Sequence, residues 1–415
     1  MTAMNGLVRR NTLLLAATMA VYSAVLQLMA AVSSLTFVLV TGAEGLLGLG
    51  PAIFLVAAAL AAVPAGRAMD RLGRRPVLAS GFLFASIGCG LTALATTQGS
   101  TVVLILGFLL TGAASGTALL VRTAAGDMYP AHRRARGISY VLFGSVFGAI
   151  LGPAVFGPLF ADRELAATAL TVPWLAAGAI ALLALALVLL VRPDPKRIAE
   201  LLAARNQGAP SSPAAPLREI LRRPGVRPAL LAALASYGVM VSVMNLSGYV
   251  VVEHHHHEQH HVFPIIGAHV LGMYALVLVV GSLIDRIGRG VALAGGLLVM
   301  AASTIGLAGV EGIAATALLL FGLGIGWNIS FVAATAQLAD ATAPAERGTI
   351  LGFSDLLSAL LGAGLALLGG YALESIGVAA LALGATVIVA APVVCLLRPR
   401  RGAFDGEPGA APTGA

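Results

Sequence analysis

Seven of the eight histidines fall within sixteen residues, from His254 to His269, and methionines flank them at helical spacing. The run E-H-H-H-H-E-Q-H-H supplies His254, His255, His256, His257, His260 and His261. On either side stand Met240 and Met244, then His269 and Met273, each pair four residues apart. On helices that spacing puts each pair on one face. Imidazole and thioether are donors that suit Cu(I), thioether being the softer of the two. As neutral ligands they avoid a fixed charge in hydrocarbon, which costs at least about 2.5–3.5 kcal/mol at the bilayer centre. Zinc more often takes thiolate, imidazole or carboxylate, and no cysteine or acid accompanies the four helical positions. The chemistry these residues suit is the stepwise transfer of copper.

The elements that must carry them are membrane helices. Of 415 residues, 59% are hydrophobic and 10% charged, against about 25% charged in a soluble domain. Apolar runs of helix-spanning length recur along the chain. They predict twelve spans, near 12–38, 46–65, 76–97, 101–124, 138–161 and 170–191, then 229–252, 262–281, 290–309, 312–336, 348–372 and 376–397. The net charge of +7 does not mark a nucleic-acid partner, because the cations, 24 of them arginine, gather in short polar gaps on one side. That is the positive-inside pattern, and it places both termini in the cytoplasm of a bacterial inner membrane. Cys89 and Cys395 stand singly in apolar helices and form no metal motif or disulfide framework.

The chain divides into a six-span half over residues 1–191, a linker over 192–228, a second half over 229–397 and a polar tail over 398–415, expected to be disordered. In the linker, Asp194-Pro195 predicts a capped amphipathic helix ending near Gly208, and a second short helix runs to Arg223. An internal repeat supports the division. G-R-A-M-D-R-L-G-R-R at Gly66 recurs as G-S-L-I-D-R-I-G-R at Gly281, displaced by 215 residues. A weaker echo matches D-M-Y-P-A-H-R-R-A-R-G from Asp127 with D-A-T-A-P-A-E-R-G from Asp340. Such symmetry implies two parallel six-helix halves.

The loop G-x-x-x-D-R-x-G-R-R between the second and third spans resembles the signature loop of the major facilitator superfamily, and the resemblance covers essentially the whole chain. It implies an all-α membrane protein that works by alternating access, with the loop as an inner gate. In that role the glycines of the motif, Gly66 and Gly281 among them, permit a tight turn. Asp70 and Arg74 pair with each other, with Asp127 or with the start of the eleventh span, and Asp285 and Arg289 do the same in the second half. The fifth span carries G-A-I-L-G-P-A-V-F-G from Gly148, which resembles the Gly-Pro motif of facilitator-type antiporters. The fourth span lacks the arginine that many proton-coupled relatives place near Phe108, and Arg122 reads as too near the cytoplasmic end to replace it. This departure argues against ordinary proton-driven drug efflux.

The motifs MxxxM in the seventh span and HxxxM in the eighth resemble a narrower group, the CcoA-type copper importers of that superfamily. Met240, Met244, His269 and Met273 are the matching positions, and downstream copper chaperones for cytochrome oxidase assembly are the partners the resemblance implies. Counted from the outer ends of the two spans, Met244 and His269 sit roughly 11 Å, and Met240 and Met273 roughly 17 Å, down a ~30 Å core. The loop histidines would then collect metal at the outer mouth, or sense pH, since histidine titrates near neutrality. Asp355, seven residues into the eleventh span, reads either as a proton-coupling acid or as a partner of the signature-loop arginines. Asn245, next to Met244, is a candidate to orient a ligand, and Trp327 and Asn328 of the tenth span are candidates for the cavity wall. No nucleotide-binding loop and no nucleophile–base pair is visible, so enzymatic activity and a prosthetic group are not expected. Two other readings stay open: a transporter of a small organic compound, a drug or a vitamin such as riboflavin, and a transporter-like metal or pH sensor.

Overall fold

A chain that spans hydrocarbon must satisfy every backbone polar group internally, and this chain does so with helices. The computed structural model describes residues 2–43, 49–148, 151, 155, 166–207, 214–249, 262–310 and 312–397. The first half holds α1 (Thr2–Thr41), α2 (Leu49–Leu72), α3 (Arg74–Gln98), α4 (Thr101–Leu119), α5 (Val121–Asp127), α6 (Arg134–Leu142) and α7 (Thr171–Leu189). The linker forms α8 (Pro195–Gln207) and α9 (Leu217–Ile220). The second half holds α10 (Val226–Tyr249), α11 (Val262–Tyr274), α12 (Val277–Ile287), α13 (Arg289–Leu307), α14 (Ile313–Asp340), α15 (Arg347–Ser375) and α16 (Val378–Leu397). Among the described residues nine helices are long and apolar enough to cross a membrane. The pair α11 and α12, bent by 45° at its break, makes a tenth. The apolar stretch of α16 is shorter, and the fifth expected span runs beyond the described residues, so twelve spans fit the chain.

The halves repeat one packing plan. In the first, α3 packs on α4 and α7 while α2 packs on α4; in the second, α13 packs on α14 and α16 while α11 packs on α14. Small residues set these spacings, as expected where helices associate without a hydrophobic driving force. Gly112 and Gly116 of α4 lie where a Cβ would come within 2.3 Å of the Phe54 carbonyl oxygen and 2.1 Å of that of Ala58. Across the seam between halves, α2 meets α15 and α6 meets α12. Turns after α2 and α12 are made by Gly73 and Gly288, with φ of +104° and +88°.

The linker is tied to both halves. The Asp194 carboxylate accepts from the backbone N–H of Lys196 at 2.8 Å, capping α8, and from those of Arg74 at 3.1 Å and Arg75 at 2.8 Å, capping α3. Lys196 Nζ donates to the Asp70 carbonyl at 2.5 Å. At the other end, Arg223 donates two bonds to the Glu346 carboxylate, at 2.5 and 2.9 Å, and the N–H groups of Ala215 and Ala343 donate to the same group at 2.9 Å each. Burial pushes the Glu346 carboxyl up, but Arg223 and these two amides outweigh it and hold it below its ordinary value. The tail over 398–415 lies outside the described residues.

Candidate functional site

The signature loops sit where the two halves touch. Gly66 is inside α2, and a Cβ there would lie 2.0 Å from the Gly348 carbonyl oxygen of α15. Gly281 is inside α12, and its Cβ would lie 2.4 Å from Ser139 Oγ beyond α6's first turn. Of the motif glycines, Gly73 and Gly288 make the expected turns, whereas Gly66 and Gly281 do not. Their place four residues before an aspartate is a helical spacing, and what they permit is contact between helices of opposite halves. One turn on, Asp70 caps the start of α15, accepting from the N–H of Gly348 at 2.8 Å, the N–H of Thr349 at 2.6 Å and Thr349 Oγ1 at 2.7 Å. Asp285 does the same for α6, accepting from the N–H of Ala135 at 3.3 Å and of Arg136 at 3.0 Å. Each carboxylate faces the positive end of a helix from the other half.

Around each aspartate is an ion network that crosses the seam. Arg74, fully buried, donates to Asp70 at 3.0 Å, to Asp127 at 2.7 Å and to the Pro344 carbonyl at 2.5 Å. Asp127 also receives Arg347 of the other half at 2.6 Å. In the second copy, Arg289 donates to Asp285 at 2.7 Å and to Asp340 at 3.1 Å, and Asp340 also receives Arg134 of the first half. The halves are thus closed on each other at the arginine-rich end. Sequence reasoning missed Arg134, Arg347 and the part played by Asp340. Arg134 and Arg347 are 213 residues apart, as are Asp127 and Asp340, which was the available signal.

A second constellation lies deeper, on α14. Trp327 and Phe331 stack with ring centroids 4.9 Å apart and planes 18° from parallel. Tyr274 of α11 meets Trp327 edge-on at 6.2 Å, and Tyr237 of α10 lies 6.4 Å from Phe331. The Arg122 guanidinium sits 4.8 Å over the Phe331 ring, a cation–π contact in a desolvated place. Arg122 pairs with Asp355 of α15 and donates to Thr335 Oγ1 at 3.3 Å. Arg122 therefore reaches across the seam to the other half, a role that its place near the cytoplasmic end did not suggest. Of the two sequence readings of Asp355, partnership with a signature-loop arginine does not hold; its partner is Arg122. Its second oxygen, Trp327 Nε1 and Asn328 Oδ1 are buried without a hydrogen-bond partner, although Asn328 Nδ2 donates to the Met273 carbonyl at 2.7 Å. Buried polar atoms left unpaired are costly, so each of these three is a candidate to meet water or a ligand.

The metal candidates are distributed over two helices. Met240 is buried on α10, Met244 half-buried on the same helix, and His269 and Met273 are buried on α11. The helices α10 and α11 touch each other sparsely, and each packs along α14 instead. His269 Nδ1 lies 2.8 Å from the Leu320 carbonyl oxygen of α14. A carbonyl cannot donate, so Nδ1 carries the proton, and in the neutral ring Nε2 is left with a lone pair. That Nε2 is buried and has no partner. The structure thus brings His269 and Met273 together with α14, and carries Met240 and Met244 on a separate helix. Among the described residues no three His, Cys, Asp or Glu side chains are placed to hold a metal ion. The collecting loop, His254, His255, His256, His257, His260 and His261, and the side chain of Asn245 lie outside the described residues.

Residues 11–366 match the family model described as Major Facilitator Superfamily. The chain is 30% identical to the MFS-type transporter YdeG of Bacillus subtilis (strain 168) over 373 residues, covering 86% of this chain and 85% of that one. It is also 30% identical to the riboflavin transporter RfnT of Brucella anthropi over 306 residues, covering 74% of each. Among solved structures, the human organic anion transporter MFSD10 superposes with a TM-score of 0.73 at 17% identity, covering 94% of this chain and 99% of that one. The fucose:proton symporter FucP of E. coli superposes with a TM-score of 0.71 at 15% identity, covering 94% and 98%. These two likenesses concern the fold.

Proposed function

The chain belongs to the major facilitator superfamily, and from that premise we propose that it carries a small organic compound with a flat ring system by alternating access. The observation that carries this reading is the Trp327–Phe331 stack, with Arg122 over one ring and an unpaired oxygen of Asp355 beside it. A planar heterocycle laid against such rings gains offset stacking, about 0.5–1.5 kcal/mol per ring beyond area burial. Its ring heteroatoms would meet the unpaired Trp327 Nε1 and Asn328 Oδ1. Arg122 and Asp355 belong to opposite halves, so an event that separates them frees the halves to rock. Asp355 is then the coupling acid, and Asp70, Arg74, Asp127, Asp285 and Arg289 latch the inner gate together with Arg134, Asp340 and Arg347. By the positive-inside rule the closed end faces the cytoplasm of a bacterial inner membrane. The resemblance to a riboflavin transporter supports the class of compound. Uptake of labelled riboflavin into proteoliposomes tests it. We expect uptake by the native protein and at least a tenfold loss in Trp327→Ala at equal protein content. Unchanged uptake by Trp327→Ala and Arg122→Gln would remove this site from the mechanism.

A second reading, copper import, is favoured by one observation: His269 holds its Nδ1 proton on a backbone carbonyl, the way metal-ligating histidines are oriented, and presents a free Nε2. Copper would be the transported substrate, taken by His269, Met273, Met240 and Met244 in turn. Cell copper content at low external copper separates the readings. His269→Ala lowers it if copper is carried and leaves it unchanged if the compound is organic.

A further inference from the structure

A cavity of about 990 Å³ lies away from the aromatic site, between α1 and α6 at the arginine-rich end. Its walls are apolar: Leu13, Ala17 and Ala20 on α1, then Phe143 and Phe147 along the α6 span. Among the described residues no carboxylate lines it. At its mouth stand Arg9 and Arg133, both exposed and neither with an ion-pair partner among the described residues. Beside them Thr12 Oγ1 donates to the Val8 carbonyl at 2.8 Å and lies 3.0 Å from Tyr129 OH, so both hydroxyls are engaged within the protein. From Arg9 to Ala20 the groove follows eleven residues of α1, roughly 16 Å, which is about half of a ~30 Å hydrocarbon core. It therefore has the depth of one leaflet, a cationic rim at headgroup level and an apolar floor.

We propose that this groove is a binding site for one anionic phospholipid of the leaflet at the arginine-rich end, its phosphate between Arg9 and Arg133 and one acyl chain along α1 and α6. Each part of the ligand meets its complement: the two unpaired guanidiniums suit a phosphate, which planar forked donors bind well. The acyl chain covers Leu13 and Phe147, which are otherwise exposed. The leaflet facing the cytoplasm is the one that carries anionic lipid, and basic residues near its surface are drawn to it. Ile198 and Leu202 of α8 reach the same cavity, so the bound lipid also touches the linker. This proposal stands apart from the choice of substrate.

The test uses the full chain, purified and delipidated, titrated with dioleoyl phosphatidylglycerol or dioleoyl phosphatidylcholine and read by native mass spectrometry for the first lipid retained. The expected result is a strong preference for phosphatidylglycerol, reduced about thirtyfold in Arg9→Gln/Arg133→Gln and largely kept in Arg9→Lys/Arg133→Lys. Ala17→Trp, which fills the groove, should release both lipids. Equal retention of the two lipids by the native protein overturns the proposal. So does unchanged phosphatidylglycerol binding in both the arginine and the Ala17→Trp variants. A thermal stabilisation reproduced by inorganic phosphate alone would also overturn it, showing a free-anion site.

Discussion

Replacing Gly66 by alanine adds one methyl group, and the structure says what it must do. Its Cβ would lie 2.0 Å from the Gly348 carbonyl oxygen, 2.7 Å from the Gly348 carbonyl carbon and 3.3 Å from the Thr349 nitrogen. All three are backbone atoms of α15, so no side chain can swing away. Ordinary van der Waals separation requires about 1.5 Å more, which only a parting of α2 from α15 supplies. The three hydrogen bonds that Asp70 accepts, one turn along α2, are 2.6 to 2.8 Å long and cannot follow such a shift. Bonds to a charged group are worth about 1.5–3 kcal/mol each, so the closed arrangement loses on the order of 4 kcal/mol or more. A change of about 5.5 kcal/mol turns a 99:1 population into 1:99. Gly66→Ala therefore takes the closed form from dominant to minor.

Pulsed electron–electron distance measurement reads this directly. With Cys89 and Cys395 replaced by alanine, spin labels at Leu72 and Ile287, which are 71% and 41% exposed at the same end of opposite halves, report the seam. The native distribution should be dominated by short distances and that of Gly66→Ala by long ones. Gly281→Ala should shift it less, since its nearest neighbour, the Ser139 hydroxyl at 2.4 Å, can rotate. The fixed neighbours, Ser139 Cβ at 2.7 Å and the Ala135 carbonyl oxygen at 2.9 Å, stand farther off than the 2.0 Å at Gly66. Gly90→Ala, with nothing within 4 Å, should leave it unchanged. Superimposable distributions for native protein and Gly66→Ala would refute the reasoning.

Asp355→Asn leaves Arg122 buried without its anion, and the expected cost is about 3–5 kcal/mol, seen as a lowered melting temperature together with lost transport. Adding Arg122→Gln should recover part of the stability and none of the transport. Glu346→Gln removes the anchor of the second linker helix. Because the native carboxyl is held below its ordinary value of 4.5, it stabilises the fold fully above pH 4.5, and that contribution fades as pH falls through the depressed native value. The melting-temperature gap between native protein and Glu346→Gln should therefore be constant from pH 7 to 5 and close under more acidic conditions; a gap that persists there would contradict the assignment.

What the sequence reveals depends on whether a signal is written in spacing or in side-chain direction. Apolar run length announces the spans, and identical residues at identical spacing announce the repeat. Asp194-Pro195 announces the cap of α8, because proline suits the first helical position and aspartate the cap before it, whereas the second use of Asp194, capping α3, is not legible. Direction is harder. Counting along the span places Arg122 near its cytoplasmic end, and the count does not say that its side chain reaches Asp355 of the other half. The echo from Asp127 and Asp340 pairs Arg136-Gly137 with Arg347-Gly348 by letter, while the residues that share a role are Arg134 and Arg347. Trp327 and Phe331 carry a legible four-residue spacing on one helix face. The histidines and methionines, more unusual as residues, drew the reading toward the neighbouring helices.

The two constellations are linked through a short piece of rigid helix. In α15, Gly348 meets α2 and Asp355 meets Arg122, seven residues or roughly 10 Å apart. In the other half, Arg122 and Asp127 are five residues apart and each holds a charge of the opposite half. Packed helices shift between discrete arrangements and do not deform smoothly. A displacement of α15 that releases Asp355 from Arg122 must therefore also strain the contact of Arg347 with Asp127 and of Gly348 with Gly66. If the proposed compound binds beside the Trp327–Phe331 stack, whose Phe331 ring lies under Arg122, its occupancy would be felt at the seam between halves without any separate relay.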